Sequence, residues 1–159
     1  MIAWLTSTTI GKIIATFFIS MVPVIELRGG LPYGIGFGLD YPVALAAALI
    51  GNMVPVPFIL IYISRIFRWL RGRHKGLDRF ITRLEEKAHL KSETVDKYGP
   101  LGLLLFVAIP LPGTGAWTGA LVAALMNLKF RHALPCIFLG VCIAAAIITG
   151  VTFGVIHIF

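Results

Sequence analysis

At 159 residues, with 58% hydrophobic and only 13% charged side chains, the chain is too apolar for a soluble domain of its size, and a mean hydropathy of +0.91 places it among integral membrane proteins. Its formal net charge of +7 is unevenly spread: ten of the 14 Lys and Arg residues fall between Arg65 and Lys97, against five acidic ones. That concentration is a topology signal, and with no helix-turn-helix or finger spacing beside it no nucleic-acid partner is expected. Cys136 and Cys142 fall on different faces of one apolar run, a spacing that indicates packing rather than a disulfide or a metal pair.

Residues 1 to 12 are mildly polar and carry one charge, Lys12. Ile13 to Val24 is then apolar, and as a helix it covers roughly 20 Å, short of the ~30 Å hydrocarbon core. It runs into VPVIELRGGLPYGIGFG, Val22 to Gly38, where Glu26 and Arg28 are the only charges between Ile13 and Leu39. Pro23, Gly29, Gly30, Pro32, Gly34, Gly36 and Gly38 loosen the backbone of the same stretch. Isolated charges at membrane depth are costly, and non-helical backbone there is tolerated only when buried in protein or lining a watery cavity. The stretch therefore reads as a site on a re-entrant hairpin: helix in, break from Pro23 to Pro32, shorter arm out to Asp40. A single tilted, broken span over Ile13 to Leu39 is the alternative.

Asp40-Tyr41-Pro42 reads as a helix start, with Asp40 as the cap and Pro42 in the first turn. Val43 to Ser64 is uncharged and long enough to span, with a kink expected at Pro55 and Pro57, and Asn52 one turn earlier is placed to bond the carbonyls they free. From Arg65 to Lys97 the chain is polar. There Leu77, Phe80, Ile81, Leu84 and Ala88 keep a helical period, which predicts an amphipathic helix for the anionic inner leaflet or a second subunit. Gly99 to Leu128 is uncharged but broken at its centre by Ile109-Pro110-Leu111-Pro112-Gly113-Thr114-Gly115, so two half-membrane arms meet at a second tip. Lys97 precedes this segment and Lys129 and Arg131 follow it, as expected if both ends return to the cytoplasmic side. Ala133 to Ile156 is a clean span.

The fold class that emerges is an all-α membrane domain of two inverted repeats, about 10–66 and 98–157, joined by a basic cytoplasmic linker helix, about 67–97. Each repeat is a re-entrant helical hairpin followed by a transmembrane helix. Gly30-xxx-Gly34 parallels Gly115-xxx-Gly119, and Gly51 parallels Gly140. Two broken elements facing each other near the midplane point to a transporter site. Glu26 is the proton-coupling candidate, because a carboxylate taken out of water can exchange protons. Arg28 suits an anionic group such as phosphate, with Gly29, Gly30, Asn52, Gly113, Thr114, Gly115 and Trp117 as further substrate contacts: the second tip offers backbone donors near a half-helix N-terminus, and the indole can stack. In a plainer reading Glu26 and Arg28 pair with each other or with the facing tip and hold the hairpin. No nucleophile and base pair, metal cluster or phosphate loop is recognisable, so no enzyme, cofactor or metal is expected.

Through Glu26-Leu27-Arg28-Gly29-Gly30-Leu31-Pro32 and Pro110-Leu111-Pro112-Gly113-Thr114-Gly115-Ala116-Trp117-Thr118-Gly119 the chain resembles the small multidrug export family over nearly its whole length. More distantly it is similar to the DedA superfamily, a resemblance that implies two inverted re-entrant hairpins with charged tips and the movement of undecaprenyl phosphate and other lipids driven by proton motive force. The second hairpin here has no charged residue, so a second arginine-bearing tip is not carried over. The expected function is a proton-coupled transporter of an amphipathic anionic substrate, such as a polyprenyl phosphate, in the cytoplasmic (inner) membrane of a prokaryote. The 65–97 loop is expected in the cytoplasm, and a homodimer is expected because so few helices cover the polar tips. The alternatives are an exporter of lipophilic cations that uses Glu26, and a non-transporting scaffold whose basic loop recruits a partner.

Overall fold

The computed structural model describes residues 7–70, 82, 83, 86, 97–111 and 114–158, and every element among the described residues is a helix. In chain order they are α1 (Thr9–Met21), α2 (Glu26–Gly36), α3 (Tyr41–Met53), α4 (Pro55–Leu70), α5 (Pro100–Ala108), α6 (Ala116–Leu125) and α7 (Phe130–Ile158). Prolines set most of the boundaries, because the ring removes a donor and disfavours helix in the residue before it. Thus α1 stops ahead of Pro23, α3 gives way to α4 at Val54 ahead of Pro55, and α5 stops ahead of Pro110, whereas Pro42 and Pro100 sit harmlessly in first turns.

Helix lengths sort the elements into two kinds. Tyr41–Ile63, which runs through α3 into α4, and Phe130–Gly154 of α7 are 23 and 25 residues of apolar helix, enough to cross a bilayer. By contrast α1, α2, α5 and α6 have 13, 11, 9 and 10 residues, about half a membrane each. Only 28% of the Phe130–Gly154 window is buried, so α7 is no core helix of a soluble bundle. Its outer face shows Phe138, Leu139, Ile143 and Val151, and α4 shows Phe58 and Ile61, an apolar surface suited to lipid.

Two expectations need correction. The break foreseen from Pro23 to Pro32 is confined to residues 22–25, and Pro32 lies inside α2. Packing outweighs the poor helix propensity of this glycine-rich segment: Leu27 and Leu31 are buried, and α2 lies against α1 so closely that a Cβ on Gly30 would overlap the Ser20 hydroxyl. Thr16 and Ser20 tolerate full burial in this contact because their hydroxyls donate to the carbonyls of Lys12 and Thr16, both at 2.8 Å. Asp40 does hold the cap position of α3, but its side chain makes no capping bond; its carbonyl accepts from Val43 and Ala44, and Pro42 pre-sets the first turn. The five apolar positions from Leu77 to Ala88 lie outside the described residues, as do Pro112 and Gly113.

One contact recurs in the two halves of the chain, the packing of α1 on α3 and of α5 on α7. α1 packs on α2 and α3, α5 packs on α7, and the halves exchange contacts through α4 with α6 and α2 with α7. Gly51 of α3 lets the backbone of α1 approach at Phe17, where a Cβ would lie 3.1 Å from the Phe17 Cα; Gly140 of α7 admits α5, where it would lie 2.9 Å from the Leu104 carbonyl. Tyr41 Oη lies 3.1 Å from Thr149 Oγ1 and the Tyr41 ring meets Phe153 edge-on, so the start of α3 lies beside the far half of α7 and the two spans are antiparallel. Because backbone cannot yield as a side chain can, Gly51→Ala and Gly140→Ala should each cost about 1–3 kcal/mol in denaturant titrations of detergent-solubilised protein. Gly150→Ala, with nothing within 4 Å of the new methyl, should be neutral or stabilising by up to about 1 kcal/mol.

Candidate functional site

The turn between α1 and α2 is where the chain departs from easy backbone geometry. Val24 and Glu26 adopt φ values of 83° and 50°, in the left-handed region that costs a side-chain-bearing residue roughly 1–2 kcal/mol. Strain of this kind persists where surrounding contacts hold it, and here they act on the Glu26 side chain, which is only 6% exposed. Its Oε2 accepts from the Ala116 N–H at 3.3 Å and its Oε1 from the Trp117 N–H at 3.1 Å, the first two amides of α6. A helix N-terminus presents unsatisfied donors and partial positive charge. Gly115, the residue ahead of α6, has no side chain to satisfy them, and a Cβ there would overlap the Glu26 carboxylate. Glu26 thus caps α6 from across the fold.

Arg28 makes the complementary contact. Its Nη1 donates to the Leu111 carbonyl, and its Nη2 donates to the Thr114 carbonyl and to Thr114 Oγ1, the last at 3.0 Å. These acceptors belong to the irregular stretch between α5 and α6, whose carbonyls have lost their helical partners. Thr114 ties the stretch together: Oγ1 accepts from the Leu111 N–H at 3.2 Å and lies 2.7 Å from the Ile109 carbonyl, to which it donates. A side chain of the second tip reaches back as well: Trp117 Nε1 donates to the Met21 carbonyl at the end of α1, at 3.0 Å. Each tip therefore satisfies backbone groups that the other leaves open, which is the outcome in which the charged pair holds the facing tip.

Between the tips lies a small cavity lined by Glu26, Leu27, Arg28, Asn52, Gly115 and Ala116, with apolar walls from Val107, Val141, Ala144 and Ile148. Asn52 stands eleven residues from either end of the Tyr41–Ile63 span, so the cavity is at mid-depth. That residue is 2% exposed, and its Oδ1 has no hydrogen-bond partner among the described residues. The bond expected from Asn52 to carbonyls freed by Pro55 and Pro57 is not formed among them.

The geometry brings together Glu26, Arg28, Asn52, Thr114, Gly115 and Trp117 from the residues singled out in the sequence. It sets Gly29 and Gly30 apart: a Cβ at Gly29 would overlap the Ile25 side chain, and Gly30 faces Ser20, so both serve close packing. Gly113 lies outside the described residues. The Ala116 and Trp117 amides belong to the backbone donors that the sequence placed at the second tip, whereas the carbonyls of Met21 and Leu111 were missed, because backbone groups have no residue signature and only the proline breaks hinted that these would be open.

The unequal bonding predicts unequal costs. Arg28→Ala strips two carbonyls and a hydroxyl of their donor and should destabilise the protein by about 2–3 kcal/mol, whereas Trp117→Phe removes one bond and should cost about 0.6–1 kcal/mol. Denaturant titration in mixed micelles measures both; equal losses would show that Arg28 does not hold the second tip.

Residues 26–147 match the family model described as "Putative small multi-drug export protein", a match that opens on Glu26 and runs through both tips into α7. No curated protein and no solved structure matches the chain. With its apolar spans and its two interlocked tips, the chain is a helical membrane protein and belongs to this small multi-drug export family.

Proposed function

We propose that the protein is a transporter of the cytoplasmic membrane of a prokaryote that moves amphipathic substrates with an anionic head, of the polyprenyl phosphate kind, and that Glu26 carries a coupled proton. One observation carries this reading: the Glu26 carboxylate sits on the N-terminal amides of α6, beside the Arg28 guanidinium, at mid-depth. Helix N-terminal amides and a planar guanidinium are the groups that hold a phosphate, and here the protein's own anion occupies the amides. Protonation discharges that carboxylate and frees the amides for a substrate head, while Arg28 exchanges the carbonyls of Leu111 and Thr114 for the same head. Release of the substrate lets the carboxylate return. Alternating access follows if α1–α2 and α5–α6 are re-entrant hairpins entering from opposite faces, the inverted repeat that the DedA resemblance implies. The short arms, the antiparallel spans and the recurring glycine contacts support it.

A second reading, export of lipophilic cations, agrees with the family's description and is favoured by the bonding of Arg28. Its N–H groups go to Leu111 and Thr114 and not to Glu26, so the carboxylate keeps its charge for a cation. Binding to purified protein in liposomes separates the two. Arg28→Ala should weaken polyprenyl phosphate binding about 10- to 100-fold, while Glu26→Gln should bind it as well as or better than wild type and transport it without pH dependence. Wild-type affinity in Arg28→Ala would overturn the anion reading. Loss of lipophilic-cation binding in Glu26→Gln would establish the second.

The topology has its own test. In a background lacking Cys136 and Cys142, a single cysteine replacing Phe130 should be labelled only from the cytoplasmic side, on which the Arg65 to Lys97 segment is also proposed to lie. Labelling from outside would remove the second hairpin.

A further inference from the structure

The cavity between the tips contains a polar side chain that takes no part in the bonds joining them. Asn52 Oδ1 is buried at mid-depth, lines the same cavity as Glu26, and has no hydrogen-bond partner among the described residues. A buried acceptor without a donor is costly, and more so where no bulk water reaches. Such an acceptor calls for a donor, a water in the cavity or a group that the site presents in another state. About 10 Å³ of the cavity can take the centre of a water molecule, room for one.

Glu26 is the group whose bonding must change. As a carboxylate it is acceptor-only and matches the Ala116 and Trp117 amides; as an acid it becomes a donor and needs an acceptor. The other charged and titratable groups on the elements packed around α2 stand elsewhere. Lys12 of α1 lies near Gly38, Tyr41 at the start of α3 meets Thr149, and Arg131, His132, Cys136 and Cys142 of α7 do not line the cavity; Arg28 alone shares it with Glu26. Among the side chains lining the cavity, Asn52 is the sole neutral acceptor.

We propose that Asn52 Oδ1 is the proton-state partner of Glu26, accepting the hydrogen bond of the protonated carboxyl group across a single water held in the cavity. This rests on the proton-coupling reading and supplies the residue that decides where Glu26 goes once it is protonated. One oxygen of the carboxylate takes up a proton from water, leaves the α6 amides and donates through the bridging water to Asn52. Deprotonation returns the proton by the same route and restores the α6 cap. No other bond is made or broken. Asn52 is a positioning residue in this scheme, and the substrate head occupies the α6 amides while the acid is turned toward α3.

The chain contains two asparagines, Asn52 and Asn127, which makes a direct test possible. Asn127 has a φ of 54° in the turn before α7, so Asn127→Gly fits that backbone and leaves Asn52 as the single asparagine. Protein with this change, grown on isotope-labelled asparagine and reconstituted in liposomes, is compared at acid and neutral pH by infrared difference spectroscopy. On acidification a carboxylic acid band should appear and the labelled amide carbonyl band should shift to lower frequency; both changes should vanish in Glu26→Gln. A second variant, Asn52→Leu, should keep the acid band but move it to the frequency of a carboxyl group with a weaker hydrogen bond. If the acid band appears and depends on Glu26 while the labelled amide does not respond, the role of Asn52 is overturned and proton uptake by Glu26 stands. If no acid band depends on Glu26, the proton-coupling reading falls and this inference with it.

Discussion

The structure depends on one constraint: backbone groups left open at membrane depth must find partners inside the protein. α1 and α5, with 13 and 9 residues, are both shorter than a membrane's thickness, and the break after each leaves amides and carbonyls without helical partners. The chain answers with two charged side chains from one tip. A carboxylate can accept from two amides at once, so Glu26 closes the N-terminus of α6; a guanidinium can donate to several oxygens in a plane, so Arg28 closes the loop before it. Neither charge is buried without compensation, and neither is matched by the other directly. Each is matched to partial charges of the backbone, which stay fixed while side chains move.

That division explains the spacing of two residues between Glu26 and Arg28. Neighbours two apart on a helix point to different faces, and the left-handed backbone at Glu26 turns its side chain further toward α6. One residue therefore reaches the helix end and the other the loop, which a spacing of three or four on a single face would bring to the same point. The local strain is offset by contacts formed only when the tips are together. The net gain from joining the tips is therefore smaller than the number of bonds between them suggests.

Much of this was legible in the sequence, and the rest was hidden for identifiable reasons. The isolated charges in an apolar stretch marked the first tip, and the Pro-Gly cluster at 109–115 marked the second. The boundary at Pro55 followed from proline chemistry. The length of α2 was not legible, since Pro32 and four glycines argue against helix locally, and it is the burial of Leu27 and Leu31 and the fit of Gly30 and Gly34 against Ser20 and Thr16 that sustain it. The same fit removes Gly29 and Gly30 from the site, because a glycine placed for contact and one placed for a ligand look alike in sequence. The orphaned oxygen of Asn52 could not be foreseen: a polar residue near two prolines suggests a local repair, and burial against the tips without a donor for Oδ1 is a matter of tertiary packing.

Gly115 shows how the fold makes one tip sensitive to the other. A capping serine or aspartate ahead of a helix satisfies its second or third amide, here Trp117 or Thr118, for about 1 kcal/mol, and such a helix end depends less on a partner from elsewhere. Glycine makes no such bond and leaves the space in which the carboxylate sits. The cap of α6 is thus contributed from the opposite half of the chain and exists only while the tips meet. The Glu26 carboxylate is held by the first amides of α6, and α6 in turn packs against α4. A helix capped by its own neighbour would have nothing to report; a helix capped across the fold registers the state of Glu26.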